Sequence, residues 1–285
     1  MGKRFLDFAS ESLDSVHVST VDVKPVPLDA EKYGDVSFFL DVKQMMRTER
    51  PHVVFIASPA TFHLELARTI RAMEPECALL IEKPLLDSPL DDEDLRWCVE
   101  NQHLVSVGYN WRHHPQAQRL RSLRDSDGGH DIKHLWLHVA SNIKRWPGAN
   151  YADPLREFSH ELDLVTYLVN GPRFHDVERR SDGRYDIVGT HSKGTWRVTI
   201  APFSKVDHRW AKVITADGSR TSFQWDTSEA TLRDTYRDEF MELCAHRAGG
   251  LDFTSLTCPL MSAVQTTLLI DTIEERLNTK LRRTG

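Results

Sequence analysis

The segment that most constrains the fold of this chain is residues 51–85, which read PHVVFIASPATFHLELARTIRAMEPECALLIEKPL. Residues 53–57 form a short apolar run that includes β-branched side chains, as expected for a strand buried on both faces. Ser58 and Pro59 end this strand, and apolar residues then recur at helical spacing before a second buried strand at 78–81. The segment therefore predicts a strand, a tight turn, a helix and a second strand.

A lysine follows the second of these strands, within the tripeptide Glu82-Lys83-Pro84. Open α/β sheets bind their ligands in the crevice outside the carboxyl ends of the strands. A lysine at that position between Glu and Pro is difficult to explain by packing, and the alternative is a surface lysine at a strand end. Lys83 is therefore the first candidate for a residue with a chemical role.

The charge balance argues against a protein that binds nucleic acid through electrostatics. The chain has 285 residues, enough for one large domain or two medium ones, with 36 Lys and Arg against 42 Asp and Glu and a net charge of -6. A basic excess, which neutralises phosphates, is absent from this composition.

The cysteines and the apolar runs indicate a protein of the cytoplasm without a membrane partner. Cys77, Cys98, Cys244 and Cys258 have neither CxxC nor metal-binding spacing, so we expect free thiols in a reducing compartment and no metal site. No apolar run approaches the roughly 20 residues that span a bilayer, and no signal peptide opens the sequence.

Strand and helix patterns alternate from residue 3 to about residue 110, which predicts a doubly wound parallel sheet. A strand at 16–21 ends on Asp22, a helix covers 40–50, and a further strand covers 104–109. We therefore expect an α/β, Rossmann-like domain over residues 1–112. A strand and a glycine-rich turn normally precede the first helix of such a domain, and this sequence has neither. Gly2 nevertheless lies 20 positions before Asp22, close to the interval between a GxGxxG loop and its ribose-binding acid.

The second half of the chain predicts an α+β domain over residues 113–285, with an open and mostly antiparallel sheet. Turn signals such as Ser181-Asp182-Gly183 separate neighbouring strands at hairpin spacing. The candidate strands are residues 133–141, 176–180, 185–191, 195–200, 211–216 and 220–225. The candidate helices are residues 157–168, 232–246 and 259–277.

Four segments together resemble the Gfo/Idh/MocA (glucose-fructose oxidoreductase / inositol dehydrogenase) family. They are VVFIASP at 53–59 with His63, the Glu82-Lys83-Pro84 tripeptide, VGYN at 107–110 with Arg112 and Pro115, and EFSHELD at 157–163 with Asn170-Gly171. Their order and spacing agree with the family over most of residues 50–175. The resemblance implies hydride transfer between NAD(P) and a hydroxyl or keto carbon of a sugar, nucleotide sugar or cyclitol. It also implies a homodimer or homotetramer assembled through the C-terminal sheet.

The first residues resemble the end of the family's phosphate loop, G-x-G-S-[IM]-G-K-R-[HF], with Gly2 as its third glycine. The first strand and the first two glycines have no counterpart in the sequence. Three explanations stay open: a start assigned at an internal methionine, a truncated chain, or a protein that has lost its phosphate loop.

The resemblance implies a proton-handling pair formed by Lys83 and His160. A lysine ammonium stabilises a developing alkoxide, and an imidazole titrates near neutral pH. Asp163 and Glu157, three positions after and before His160, are candidates to orient it. The family often carries Asp where this chain has Arg156, so the third catalytic position stays open between these carboxylates. A hydrogen-bonded structural histidine is the alternative for His160, and a metal triad of Glu157, His160 and Asp163 is disfavoured because HELD is not HExxH.

The resemblance also implies the residues that hold the ligands. Asp22 would accept hydrogen bonds from the adenosine ribose and repel a 2′-phosphate, which favours NAD, although Lys24 keeps NADP open. The implied cofactor-binding residues are Gly2, Lys3, Arg4, Asp22, Ala57, Ser58, Pro59, His63, Glu82 and Lys83. The substrate-side candidates are Tyr109, Arg112, Lys144, Arg145, Trp146 and Tyr151.

Two hypotheses about function follow from the sequence. The first is an NAD(P)-dependent oxidoreductase acting on CH–OH groups of a small polyol or sugar. The second is a non-catalytic relative of the same fold, a binding or assembly subunit without the backbone N–H groups that hold a pyrophosphate. Binding of NADH distinguishes the two hypotheses.

Overall fold

The computed structural model describes residues 2–12, 17–24, 30–33, 36–125, 131–146 and 154–284. The chain folds into two compact units, and each is built from two stretches of sequence. The first unit comprises Met1–Gly108 and Tyr236–Met261, and the second comprises Tyr109–Thr235 and Ser262–Gly285.

The helices and strands alternate as predicted in the first part of the chain. In order they are α1 (Gly2–Ser12), β1 (Ser19–Val21), α2 (Ala30–Tyr33), β2 (Ser37–Phe39), α3 (Val42–Glu49), β3 (Val53–Ile56), α4 (His63–Met73), β4 (Ala78–Glu82), α5 (Asp92–Asn101) and β5 (Val105–Gly108). The strands β1 and β2 pair in parallel, and so do β3, β4 and β5. These are two separate sheets, because no strand of the described residues pairs with both β1 and β3.

The remaining elements follow from residue 115 onward. In order they are α6 (Pro115–Asp125), β6 (Ile132–Asn142), α7 (Pro154–Glu157), α8 (Ser159–Leu168), β7 (Arg173–Arg179), β8 (Tyr185–His191), β9 (Gly194–Ala201), β10 (Phe203–Thr215), β11 (Arg220–Gln224), α9 (Glu229–Ala248) and α10 (Leu260–Thr284).

The central strand of the three-stranded sheet is β4, and all five of its residues are buried. It has β3 on one side and β5 on the other, which explains why its sequence ALLIE is apolar up to its last residue. The edge strand β3 is only half-buried over most of its length. The carboxyl end of β4, where the Glu82-Lys83-Pro84 tripeptide begins, is therefore held by strands on both sides.

The first unit includes a stretch of the second half of the chain that a division at residue 112 does not contain. Phe5 of α1 packs against Phe55, with ring centroids 3.7 Å apart, and also against Tyr236 and Phe240 of α9. These residues form one apolar core with Leu80 of β4. The first stretch of this unit ends at Gly108. Residues 236–261 belong to the same unit because the apolar side of α9 packs into this core.

The second unit contains the predicted open sheet, with six strands in the order β11-β10-β6-β9-β8-β7. Every neighbouring pair is antiparallel except β6 and β9, so the prediction of a mostly antiparallel sheet is confirmed. One face of the sheet is packed, and Leu135 and Val139 of β6 share its core with Leu162 of α8 and Ile273 of α10. This packing fixes α8, the helix that carries His160, to the sheet.

Strand β10 is longer than predicted, since it begins at Phe203 and not at residue 211. Its first half lies largely exposed and has a register shift against β6 between Phe203 and His208. A half-exposed, irregular strand has no apolar alternation for sequence analysis to detect. The predicted helix at 157–168 corresponds to α8, which begins at Ser159, while Glu157 ends the separate short helix α7.

Among the described residues, no helix is both long enough and apolar enough to cross a membrane. The helix α10 has 25 residues but carries several charged side chains from Asp271 onward.

Candidate active site

The first group of predicted site residues lies in two turns, at the carboxyl ends of β3 and β4. Ser58 and Pro59 follow β3, and Lys83 and Pro84 follow β4, with a cis peptide bond between these last two residues. His63, the first residue of α4, is buried between the turns. Its Nδ1 lies 2.9 Å from the Pro84 carbonyl oxygen and its Nε2 lies 2.9 Å from the Ser58 carbonyl oxygen. The structure thus brings these predicted cofactor and catalytic residues together.

Glu82 is a buried carboxyl group with an oxygen that is not used by the fold. The residue is 8% exposed, and its Oε2 has no hydrogen-bond partner among the described residues. Glu82 pairs with Gly108 of β5, and a Cβ at residue 108 would lie only 3.0 Å from Oε2. Burial raises the pKa of Glu82 from 4.5 to about 7, against the positive charges of Lys83 and Arg4.

The N-terminus of α1 and the end of β1 carry the remaining cofactor candidates. Gly2, Lys3 and Arg4 are exposed in the first turn of α1. The free N–H groups and the dipole of a helix N-terminus favour an anion, and the two cationic side chains add to this. Asp22 follows β1, is exposed, and accepts a hydrogen bond of 3.2 Å from the Lys24 amide.

These features of the first unit fit a dinucleotide cofactor. A buried carboxyl oxygen without a partner, an exposed cationic helix start and an exposed carboxylate after β1 match the ribose and phosphate groups that NAD presents. The residues that would hold NAD are therefore those at the start of α1 and after β1, β3 and β4.

The second group of predicted site residues lies in the second unit around His160. This residue is 6% exposed and sits in the first turn of α8. Its ring lies edge-on to Tyr109, with centroids 5.7 Å apart, and to Trp111 at 6.3 Å. An imidazole enclosed by aromatic rings has a fixed orientation, which a residue that transfers protons requires.

Asp163, on the same helix as His160, forms a buried ion pair with Arg112. The Arg112 guanidinium donates to both Asp163 oxygens at 2.7 and 2.6 Å, and Thr266 donates to one of them at 3.0 Å. Burial raises the pKa of the Asp163 carboxyl, opposed by Arg112 and by the hydroxyl of Thr266. Loss of one partner of such a pair costs about 3–5 kcal/mol, because it leaves a buried charge uncompensated. The pair therefore ties α8 to the segment that follows β5 and to α10.

Arg156, which stands where the family often carries Asp, has a structural partner set of its own. Its guanidinium donates to Asp271 at 2.7 Å and to Glu274 at 2.8 Å, both on α10. Arg156 is buried, whereas the neighbouring Glu157 is half-buried. Arg156 thus anchors α7 to α10, and Glu157 stays a prediction for the third catalytic position.

The structure places the other substrate-side candidates at different points of the second unit. Trp146 packs on Phe158, with ring centroids 5.2 Å apart, directly before the turn that carries His160. Arg145 is largely exposed and pairs with Asp207 at 3.3 Å, while the Lys144 ammonium lies 5.6 Å from the Phe203 ring. Tyr151 lies outside the described residues. Of the described substrate-side candidates, Tyr109 and Arg112 contact residues of the histidine helix, and Trp146 contacts Phe158 directly before it.

Two buried polar side chains were not predicted as site residues. The Ser159 hydroxyl, next to His160, and the Asn110 Oδ1, next to Tyr109, have no hydrogen-bond partner among the described residues. The Asn110 amide nitrogen donates a hydrogen bond to the Thr235 hydroxyl at 2.7 Å. In the sequence, only the motifs that contain Ser159 and Asn110 could have indicated a role for them, because a serine or asparagine alone has no distinctive chemistry.

Comparison with known proteins supports the assignment that this geometry suggests. Residues 7–109 match the family model described as oxidoreductase family, NAD-binding Rossmann fold. A D-glucoside 3-dehydrogenase from Escherichia coli is 25% identical over 244 residues, which cover 79% of this chain and 65% of that protein. The match thus spans slightly less than two thirds of the relative's length.

Solved structures share the fold of the whole chain. A myo-inositol dehydrogenase from Corynebacterium glutamicum superposes with a TM-score of 0.77 at 14% identity, covering 98% of this chain and 94% of that one. A scyllo-inositol dehydrogenase from Lactobacillus casei, solved with NAD(H) and scyllo-inositol, gives a TM-score of 0.76 at 15% identity and covers 96% and 93% of the two chains. At such identities the matches establish the fold.

The site and the fold thus define a protein with an NAD-binding Rossmann-like unit and a second unit built on a mixed sheet. Over residues 7–109 the chain is thus similar to the Gfo/Idh/MocA oxidoreductase family, in agreement with the resemblance that the motifs indicated. The family model that residues 7–109 match describes an NAD-binding fold, in agreement with the predicted cofactor.

The raised pKa of Glu82 predicts a specific dependence of stability on pH. Folding favours the neutral form of the Glu82 carboxyl. Its contribution to the free energy of unfolding is therefore complete below about pH 4.5 and is lost as the pH rises through about 7. Glutamine at this position stays neutral at every pH. The free energy of unfolding of Glu82→Gln, minus that of wild type, should therefore rise by about 2–3 kcal/mol when the pH is raised from 5 to 8. Urea unfolding of both proteins at the two pH values measures this difference.

The matched control is Glu76→Gln, because the Glu76 carboxyl is exposed and keeps its hydration in the folded state. A difference between Glu82→Gln and wild type that does not change with pH would contradict the account of Glu82.

Proposed function

We propose that this chain is an NAD-dependent oxidoreductase that transfers a hydride between nicotinamide and a hydroxyl or keto carbon of a sugar, nucleotide sugar or cyclitol. The observation that carries the proposal is the position of Lys83 directly after the central buried strand β4, in a turn that His63 joins to the turn after β3. The names of the relatives, a D-glucoside 3-dehydrogenase and two inositol dehydrogenases, support a polyol substrate.

Oxidation of an alcohol requires the loss of its hydroxyl proton together with the hydride. NAD, when bound, supplies the hydride acceptor. We assign the hydroxyl proton to His160, whose ring is held by Tyr109 and Trp111. We assign Lys83 to hydrogen-bond the same hydroxyl and to stabilise negative charge that develops on its oxygen. In the reverse direction His160 returns the proton to the carbonyl oxygen.

For the carboxylates beside His160 we propose two different roles. The oxygens of Asp163 are occupied by Arg112 and Thr266, so this residue holds α8 in place and acts on His160 only through the helix. Glu157 is less buried and precedes α8, and we propose it as the carboxylate that orients His160 or the substrate. Tyr109 and Trp146 are the substrate-side residues best supported by their position near the histidine helix.

We further propose that the cofactor is NAD in preference to NADP. The Asp22 carboxylate is exposed after β1, and a 2′-phosphate beside it would place two anions together. The neighbouring Lys24 engages Asp22 through its backbone amide. The preference therefore depends on the carboxylate itself.

We also propose that a second copy of the chain covers the open face of the second-unit sheet. Half-buried aromatic rings form a stack on this face: His138 lies parallel to His208 at 4.9 Å and to Trp210 at 4.8 Å, and Trp136 meets Trp210 edge-on at 4.9 Å. The Lys212 ammonium lies 4.8 Å from the Trp210 ring. Aromatic residues of this kind are enriched at protein–protein interfaces.

For location we propose the cytoplasm, as the sequence predicted. All four cysteines are free thiols, and Cys77, Cys98 and Cys258 are buried. Free thiols are the usual state of cysteines in a reducing compartment.

Substitution of the proposed proton-handling residues tests the function directly. Lys83→Ala and His160→Asn should each lower kcat by about 100-fold or more, because general acid–base catalysis contributes that much. NADH affinity should change by no more than a few-fold. The assay follows NAD reduction by absorbance with a panel of cyclitols and D-glucosides, and fluorescence titration gives NADH binding.

Lys43→Ala and His52→Asn, at exposed positions of the first unit, are the matched controls and should retain full turnover. Near-normal turnover in both Lys83→Ala and His160→Asn would refute the proposed roles.

A charged residue within the aromatic stack tests the proposed assembly. Trp210→Lys should convert the assembly to monomers of 32.7 kDa in sedimentation experiments, since a second ammonium beside Lys212 would be buried against the second copy. Val99→Glu, an exposed position on α5, should leave the assembly intact. The wild-type protein is measured at a concentration of about 100 times a typical nanomolar Kd. If it sediments as a monomer at that concentration, the result would contradict the assembly.

A further inference from the structure

Both ring nitrogens of His63 face backbone carbonyl oxygens, and these carbonyls belong to the two site turns. The residue is 1% exposed, so water does not replace either contact. Its Nδ1 faces the Pro84 carbonyl and its Nε2 faces the Ser58 carbonyl, each at 2.9 Å. A carbonyl oxygen accepts and never donates, so each contact is a hydrogen bond only when the ring nitrogen carries a proton.

A neutral imidazole has one N–H, so it bonds to one of the two carbonyls, whereas an imidazolium bonds to both. Burial lowers the pKa of His63, opposed by backbone hydrogen bonds to Ser58, Pro84 and Leu85 and by the charge of Asp87. The neutral ring therefore dominates at neutral pH, and its tautomer decides which turn is held. Nδ1–H holds the turn after β4, and Nε2–H holds the turn after β3.

The two turns also meet at a second point, which favours the bond to the turn after β4. Thr61, in the 3₁₀ turn Ala60–Phe62 before α4, donates from Oγ1 to the Asp87 carboxylate at 2.7 Å. Asp87 lies four residues after Lys83 on the chain. The first residue of α4 thus contacts the segment after β4 at Pro84, and the 3₁₀ turn before α4 contacts it at Asp87.

We propose that His63 is a positioning residue for Lys83, holding the Glu82-Lys83-Pro84 turn through an Nδ1–H bond to the Pro84 carbonyl. This inference rests on the proposed function of Lys83. On one side of Lys83, Glu82 is fixed by its pairing with Gly108 in the sheet. On the other side, Pro84 is fixed by His63. With both neighbours held, the backbone of Lys83 has one position from which its ammonium reaches the reacting hydroxyl.

Asparagine and glutamine separate the two contacts of His63. The amide nitrogen of Asn corresponds in position to Nδ1 of histidine, and that of Gln corresponds to Nε2. His63→Asn should therefore keep the bond to Pro84, and His63→Gln should keep only the bond to Ser58. We expect kcat to fall about 10- to 100-fold in His63→Gln and only a few-fold in His63→Asn. NADH affinity should stay within a few-fold in His63→Gln, so that the loss appears in kcat and not in KM.

A second measurement reads Lys83 without cofactor or substrate. In protein labelled with ¹³C at lysine Cε, the Lys83 resonance is assigned by its loss in Lys83→Arg. This resonance should move in His63→Gln and stay in place in His63→Asn. An unmoved resonance together with full kcat in His63→Gln would overturn the inference while leaving the proposed function of Lys83 intact.

The tautomer itself can be measured in the wild-type protein, which guards against variants that do not fold. ¹⁵N shifts of the His63 ring at neutral pH should show a protonated Nδ1. A protonated Nε2 with a bare Nδ1 would overturn the inference. Inactivity of the wild-type enzyme, or full turnover of Lys83→Ala, would instead count against the proposed function.

Discussion

The arrangement of the first unit depends on the burial of β4 between two parallel neighbours. All five residues of this strand are buried, so hydrogen bonds to β3 and β5 and apolar contacts on both faces hold it. Its last residue, Glu82, carries a carboxyl group into that buried environment, and Lys83 follows at the first position outside it. The sheet thereby supplies a fixed base for the turn in which the proposed chemistry begins.

The second unit solves a similar problem with an ion pair. The position of His160 depends on α8, the helix that carries it. This helix is held by the packed face of the sheet and by the buried contact of Asp163 with Arg112. The pair costs desolvation of two charges, which the bidentate geometry and the Thr266 hydrogen bond offset. Polar groups that the fold leaves without partners, such as the Ser159 hydroxyl, lie beside this fixed helix.

The sequence predicted the parts of the site that local pattern determines. A buried strand with a polar end is visible in one run of residues, so β4 and Lys83 were predicted, and so were the strands of the second unit except the exposed start of β10. Partners from distant segments were not predictable. The sequence suggested that Asp163 orients His160, yet its oxygens are taken by residues 51 and 103 positions away. The same holds for the return of residues 236–261 to the first unit, which only the packing of Phe5 explains.

Hydrogen–deuterium exchange with and without saturating NADH tests the central claim most directly, namely that the first unit holds the cofactor where its strands end. The account predicts slower exchange of backbone amides at the start of α1, in the turn after β3 and in the turn after β4, with unchanged exchange in β8 and β9. Slower exchange confined to the second unit, or no change in any of the three segments at saturating NADH, would contradict it.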